Sequence, residues 1–269
     1  VAVYAPLVAA AMALGLVFLF PWVVIQALAF NARYSSYRNL RFRFDGRYAE
    51  AFRFYILWTI FAVFTLGIAY PYAVYLRKRF MVERSRYGEA SFEFSGRGRY
   101  FYAVYVIAVL TVLGLFVGMT VMLGGAAAIS NMFGSPETNP GDPGTSRVLF
   151  FFTLAMNFAV LAVFLGTAIV VQTLVTNYML QHTKLAGLEF DMRMDPMRVL
   201  WIQFSNIILI VLSVGLMIPW ARVRIVSYRL SCLSLLASEP LNSFAAGERE
   251  KLSATGEEMG EALDLDLGL

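Results

Sequence analysis

The stretch Thr65 to Phe80, TLGIAYPYAVYLRKRF, occurs a second time in altered form as SVGLMIPWARVRIVSY, Ser213 to Tyr228. Gly67 aligns with Gly215, Pro71 with Pro219, Tyr72 with Trp220 and Ala73 with Ala221, all at one offset of 148. The offset continues upstream without a gap, pairing Leu40 and Phe42 with Leu188 and Phe190. A direct repeat of this length is an architectural signal, one structural unit used twice. It predicts how the protein is built and leaves its chemistry open.

Outward from these copies, the sequence is apolar. Of 269 residues, 59% are hydrophobic and 15% charged, with a mean hydropathy of +0.65. That leaves too few polar residues to cover a water-soluble globule. Lys, Arg, Asp and Glu are absent from residues 1–32, 54–76, 100–136, 148–183 and 199–221. Each gap reaches the roughly 20 residues a helix needs to cross the hydrocarbon. The expected fold is an all-α polytopic membrane protein, with apolar segments at about 1–30, 54–76, 101–133, 148–180 and 199–221 and short strand-like connectors on the cytoplasmic side. Residues 1–236 read as a single integral membrane domain. Residues 237–269, dominated by acidic side chains from Glu239 to Asp266, read as a disordered cytoplasmic tail. The opening VAVYAPLVAA has no basic n-region, so the first segment is read as a span rather than a cleaved signal peptide, with a further N-terminal portion expected.

The connectors look alike. In residues 31–53, LRFRFDG alternates apolar and basic side chains before Asp-Gly, the pattern of a short strand or hairpin lying at a membrane surface. ERSRYGEASFEF (Glu83 to Phe94) and MLQHTKLAGLEF (Met179 to Phe190) repeat the form, a helix end followed by a strand-like pair. GSPETNPGDPGTS, Gly134 to Ser146, is rich in turn residues and reads as the outer loop.

Counting basic residues tests the topology. Five straight crossings divide them 12 to 10 between the two faces, which is no bias. If residues 54–76 and 199–221 instead dip in and return, breaking near Gly67 and Gly215, the division is 21 to 1 with only Arg147 outside. The positive-inside rule prefers the second arrangement. Against it, 23 residues are short for two half-helices, and glycines also serve as packing points between ordinary crossing helices.

TLGIAYPYAVYLRKRF, SVGLMIPWARVRIVSYRL and LQHTKLAGLEF together resemble the pattern TLGxxxPWAxxRxxRY followed by NTxLxGxxFxF of the YjgN family, bacterial inner-membrane proteins without an assigned function. The resemblance runs to about residue 236 and implies a multi-pass protein of the bacterial inner membrane, usually longer at its N-terminus. Pro71-Tyr72 departs from the family's Pro-Trp, and Gln181-His182-Thr183 from its Asn-x-Thr. The resemblance implies no catalytic residues.

The residues themselves argue against enzyme chemistry. The apolar segments hold no Asp, Glu, Lys, Arg or clustered His to act as acid, base or nucleophile. One histidine, His182, and one cysteine, Cys232, leave no metal-ligand set, and no cofactor or nucleic-acid motif is present. Two classes remain, and the two matched irregular sites that the repeat creates favour the first. One is a pore or permease for a small solute, with Gly67, Pro71, Gly215 and Pro219 as intramembrane break points and Gln26, Gln172 and Asn157 as polar-path or interhelical residues. The other is a scaffold that holds anionic lipid through Arg77, Lys78, Arg79, Arg222, Arg224 and Arg229. Partners in either case are the phospholipid bilayer and its anionic lipids, and a homo-oligomer fits both.

Overall fold

The three longest apolar runs become long helices, the first of them with Pro21 in its interior. In the computed structural model, which describes residues 4–37, 40–133 and 143–236, these are α1 (Tyr4–Tyr34), α5 (Gly98–Phe133) and α6 (Pro143–Gln181). Within them Leu7–Tyr34, Gly98–Val121 and Leu154–Gln181 are long and apolar enough to cross a membrane. Only 6% of each apolar window is buried, the inverse of a soluble core and what a lipid-facing helix requires. The turn-rich stretch expected as the outer loop lies largely outside the described residues, as does the acidic tail.

The other two apolar stretches form helical hairpins. In the first, α2 (Tyr48–Phe52), a π-helical turn at Arg53–Leu57 and α3 (Trp58–Phe64) run on as one arm, and α4 (Tyr70–Glu83) is the other. In the second, α7 (Pro196–Leu212) and α8 (Ile218–Ser231) are the arms. At 1.5 Å per residue the arms are about 25 and 21 Å long in both hairpins. They exceed what the apolar gaps alone allow because they take in flanking polar residues such as Tyr48–Arg53 and Arg77–Glu83.

The helix breaks at Leu66–Gly67 and at Val214–Gly215, not at the prolines. Gly67 donates to the Ala62 carbonyl (2.7 Å) and Leu66 to Val63 (3.0 Å), the paired bonds of a Schellman cap, and Gly215 and Val214 do the same to Ile210 and Val211 at 2.8 and 3.2 Å. Both residues of each turn are left-handed, with φ of 53° and 88° in the first and 50° and 91° in the second. Pro71 and Pro219 sit in the first turn of α4 and α8, where a missing N–H costs nothing. A Cβ on Gly67 would meet nothing within 4 Å, so the cost of Gly67→Ala is the backbone's alone. That variant is expected to lose about 1–2 kcal/mol of stability, measured by titrating SDS into detergent micelles, and an unchanged midpoint would contradict the left-handed turn.

The connectors make strands, and here the structure corrects the all-α expectation. β1 (Ser36–Tyr37), β2 (Leu40–Phe44), β3 (Ser85–Tyr87), β4 (Ala90–Phe94), β5 (Thr183–Leu185), β6 (Leu188–Met192) and β7 (Leu233–Leu236) form one antiparallel sheet in chain order. Asp45-Gly46 does not turn back into a hairpin but leads from β2 into α2. β2 pairs instead with β3, Phe42 opposite Tyr87 and Phe44 opposite Ser85, across the whole first helical hairpin. Apart from β1 and β7 at its edges, every strand is short yet paired on both sides, so no long alternating run is needed to specify it.

Two compact units can be distinguished. The first comprises residues 1–101, 177–192 and 233–269, and its described part contains the whole sheet. Its core includes a cluster of Leu40, Tyr87, Leu185 and Leu188 on the sheet, and another of Phe44, Ala51 and Phe80 where β2 and the first hairpin meet α1 residues Ile25, Leu28, Ala29 and Ala32. Across β5 and β6 the exposed Lys184 bonds Glu189 at 2.6 Å, and that hydrogen bond and charge raise the ammonium pKa above its ordinary value. The second unit comprises residues 102–176 and 193–232, with α7 and α8 complete.

Candidate functional site

Each hairpin is closed at its base. In the first unit Asp45 N–H donates to Arg84 O (2.9 Å) and Arg84 pairs with Glu50 at 2.5 Å. In the second, Arg193 N–H donates to Cys232 O (3.3 Å), and Asp195 N–H to the Tyr228 hydroxyl (3.0 Å). Asp195 also caps α7, its carboxylate accepting from Met197 N–H at 3.0 Å. Near the tip end of each second arm a small residue is buried, Ala73 in one hairpin and Ala221 in the other.

Polar groups lie between the arms. In the first hairpin the Arg77 guanidinium sits over the rings of Tyr55 and Tyr70, 5.9 and 5.6 Å from their centroids, and Nε donates to Ala73 O at 3.2 Å. In the second, buried Asn206 donates from Nδ2 to Ala221 O (3.2 Å), and its Oδ1 accepts from Arg224 Nη1 (3.2 Å). The same nitrogen donates to Ser205 Oγ at 2.7 Å, with the guanidinium 5.4 Å from the Trp220 ring. Two of the arginines expected at the surface are therefore held inside their hairpins. Arg79 pairs with Glu83 along α4 at 2.7 Å, while Arg222 is exposed.

The tips are apolar and bare. Phe64, Leu66 and Ile68 are exposed, as are Leu212, Val214 and Leu216, with Leu66 at 94% and Val214 at 92%. Transfer of such side chains from water to an apolar medium is favourable.

The membrane glutamines each line a depression. Gln26 lies in a groove of about 990 Å³ in the first unit, between α1 and the β1–β2 hairpin, with Trp22, Val23, Ala27, Phe30, Asn31, Arg33, Tyr34, Ser36 and Arg41. Gln172 lies in a cleft of about 10 Å³ in the second unit, with Ile169, Thr173, Thr176, Met194, Val199, Gln203 and Arg229. Aligning VVIQALAFN (Val23 to Asn31) with IVVQTLVTN (Ile169 to Asn177) places Val23, Gln26, Ala27 and Phe30 on Ile169, Gln172, Thr173 and Thr176. The same helix face is thus filled to about the volume of one water in one place and open in the other. Asn157 is exposed on α6 and is not among the residues lining either depression. Sequence reasoning named neither Arg33 nor Arg41. The available signal was LRFRF, whose alternation buries Leu40 and Phe44 and turns Arg41 and Arg43 outward.

His182 has a structural setting. Its ring stacks on Tyr178, 4.0 Å between centroids, and Tyr178 stacks on Tyr100 at 4.0 Å. Its carbonyl accepts from Ser95 N–H and Oγ at 2.9 and 3.1 Å, tying α6 to β4. Among the described residues no group of three or more His, Cys, Asp and Glu is placed to hold a metal ion.

Compared with known proteins, residues 1–262 match the family described as "Bacterial protein of unknown function (DUF898)". No curated protein and no solved structure matches the chain.

Proposed function

We propose a function from one premise: the chain belongs to the bacterial DUF898 family, the family also known as YjgN. On this reading it is a non-enzymatic, multi-pass protein of the inner membrane. Its two helical hairpins re-enter from the cytoplasmic side, and its sheet lies on that face and engages anionic lipid. The observation that carries the reading is the sheet. The connectors at 31–53 and 77–99 hold 13 basic residues against five acidic ones and supply β1 to β4. Pairing them in one sheet with β5, β6 and β7 supports a common face for all connectors, the arrangement the positive-inside count prefers. Hairpins closed at the base and apolar at the tip support re-entry. A surface of this charge beside spanning helices attracts phosphate headgroups, at roughly 1 kcal/mol per basic residue.

The test is labelling from each face. In a Cys232→Ser background, Ser36→Cys, Ser91→Cys and Ser234→Cys are expected to react with an impermeant maleimide from the cytoplasmic side only, and Ser135→Cys from the periplasmic side only. Ser36→Cys and Ser91→Cys reacting from opposite faces would mean that the first hairpin crosses, and the reading would fall.

A second reading, a pore or permease for a small solute, draws support from the hairpin arginines and from the polar lining of the Gln172 cleft. Solute flux into liposomes carrying the purified protein favours it. Retained phospholipid without flux favours the first.

A further inference from the structure

We infer that the groove on α1 is a binding site for one anionic phospholipid, its phosphate held between Arg33 and Arg41 and an acyl chain laid along Trp22, Val23 and Phe30. The inference rests on the lipid-engaging reading above and gives it an address.

Chemistry divides the groove lengthwise. Trp22, Val23, Gln26, Ala27 and Phe30 lie on the apolar part of a helix long enough to span, whereas Arg33 follows at its last turn and Arg41 projects from β2. From Trp22 to Arg33 is about 16 Å along the axis, the reach of a headgroup and the upper part of a chain. The volume, about 990 Å³, lies at the upper end of ordinary ligand sites. Among the described residues no carboxylate lines it.

The state of the two guanidinium groups points to an anion. Arg79, Arg84 and Arg86 form ion pairs, and Arg77 and Arg224 are engaged inside their hairpins. Neither Arg33 nor Arg41 is ion-paired among the described residues, and both are exposed. Two arginines lining one groove at the end of a helix long enough to span suit a phosphodiester, which accepts from a guanidinium fork. A free phosphate would leave the apolar half of the groove unused. The matched face of α6 makes the contrast, since Val199, Gln203 and Met194 reduce the space beside Gln172 to that of a water.

The test uses the full chain reconstituted in nanodiscs of equal phosphatidylglycerol and phosphatidylcholine, released and weighed by native mass spectrometry. One retained phosphatidylglycerol per chain, in preference to phosphatidylcholine, is expected. At roughly fivefold per basic residue, the double variant Arg33→Gln, Arg41→Gln is expected to lose about thirtyfold in retention. Removing equal charge elsewhere, with Arg97→Gln and Arg99→Gln at two exposed positions outside the groove, is expected to leave it within about threefold. Gln26→Trp fills the groove without changing charge and is expected to expel the lipid at an unaltered thermal midpoint, which keeps the test open if the double variant does not fold. Equal losses in both arginine pairs would overturn the groove site while leaving a general attraction to anionic lipid. A lipid-free dimer would replace the lipid with a second copy and overturn it too. No preference for phosphatidylglycerol in the unaltered protein would remove both the site and the lipid-engaging reading.

Discussion

Phe80→Ala is expected to lower stability by about 4 kcal/mol, the loss that an enclosed aromatic ring leaves behind as a cavity. Phe80 is 3% exposed and lies against Phe44 of β2, Phe54 and Tyr55 of the opposing arm, and the buried Ala51. Its ring joins sheet to hairpin, so the cavity cannot close by moving one element alone. Titration with SDS in mixed micelles, followed by tryptophan emission, gives the free energy directly. Leu66→Ala supplies the contrast. That side chain is 94% exposed at the tip, so its loss in micelles is expected to stay within about 0.5 kcal/mol. Equal effects from the two variants would mean that the base of the hairpin is not its core.

In the second unit the largest expected effect belongs to Asn206→Ala, at about 3 kcal/mol. The amide is 3% exposed and joins both arms, donating to Ala221 O and accepting from Arg224. Removing it takes away the bond between the arms and weakens the hold on the guanidinium. The double variant Asn206→Leu, Arg224→Met removes the charge with its partner and is expected to recover at least half of the loss. A double variant no better than Asn206→Ala, by the same titration, would show that the polar pair is not what holds the arms.

How much of this was legible in the sequence differs by element. The three long helices follow from charge-free runs, and the turns from Gly67 and Gly215 at one spacing from the prolines. The strands were legible singly, as LRFRF and its relatives, but their joining was not. β4 and β5 are separated by α5 and α6, and nothing local in ASFEF or TKL names a partner so distant. Arg77 and Arg224 read as surface charge because they adjoin charged residues in the chain. Only the fold-back of one arm on the other puts Tyr55 and Asn206 beside them. The groove was hidden for a similar reason, since it needs β1–β2 to lie against a helix face that looks lipid-facing by itself.

The sheet's strand order bears on biosynthesis. Each strand pairs with the one translated immediately before it, from β1 through β7, so growth from the ribosome extends the same edge and never has to open a finished ladder. The longest pause falls between Phe94 and Thr183, while α5 and α6 are made. During that interval the nascent protein presents β4 as a bare edge, the moment at which misassembly with a neighbouring polypeptide has its best opportunity.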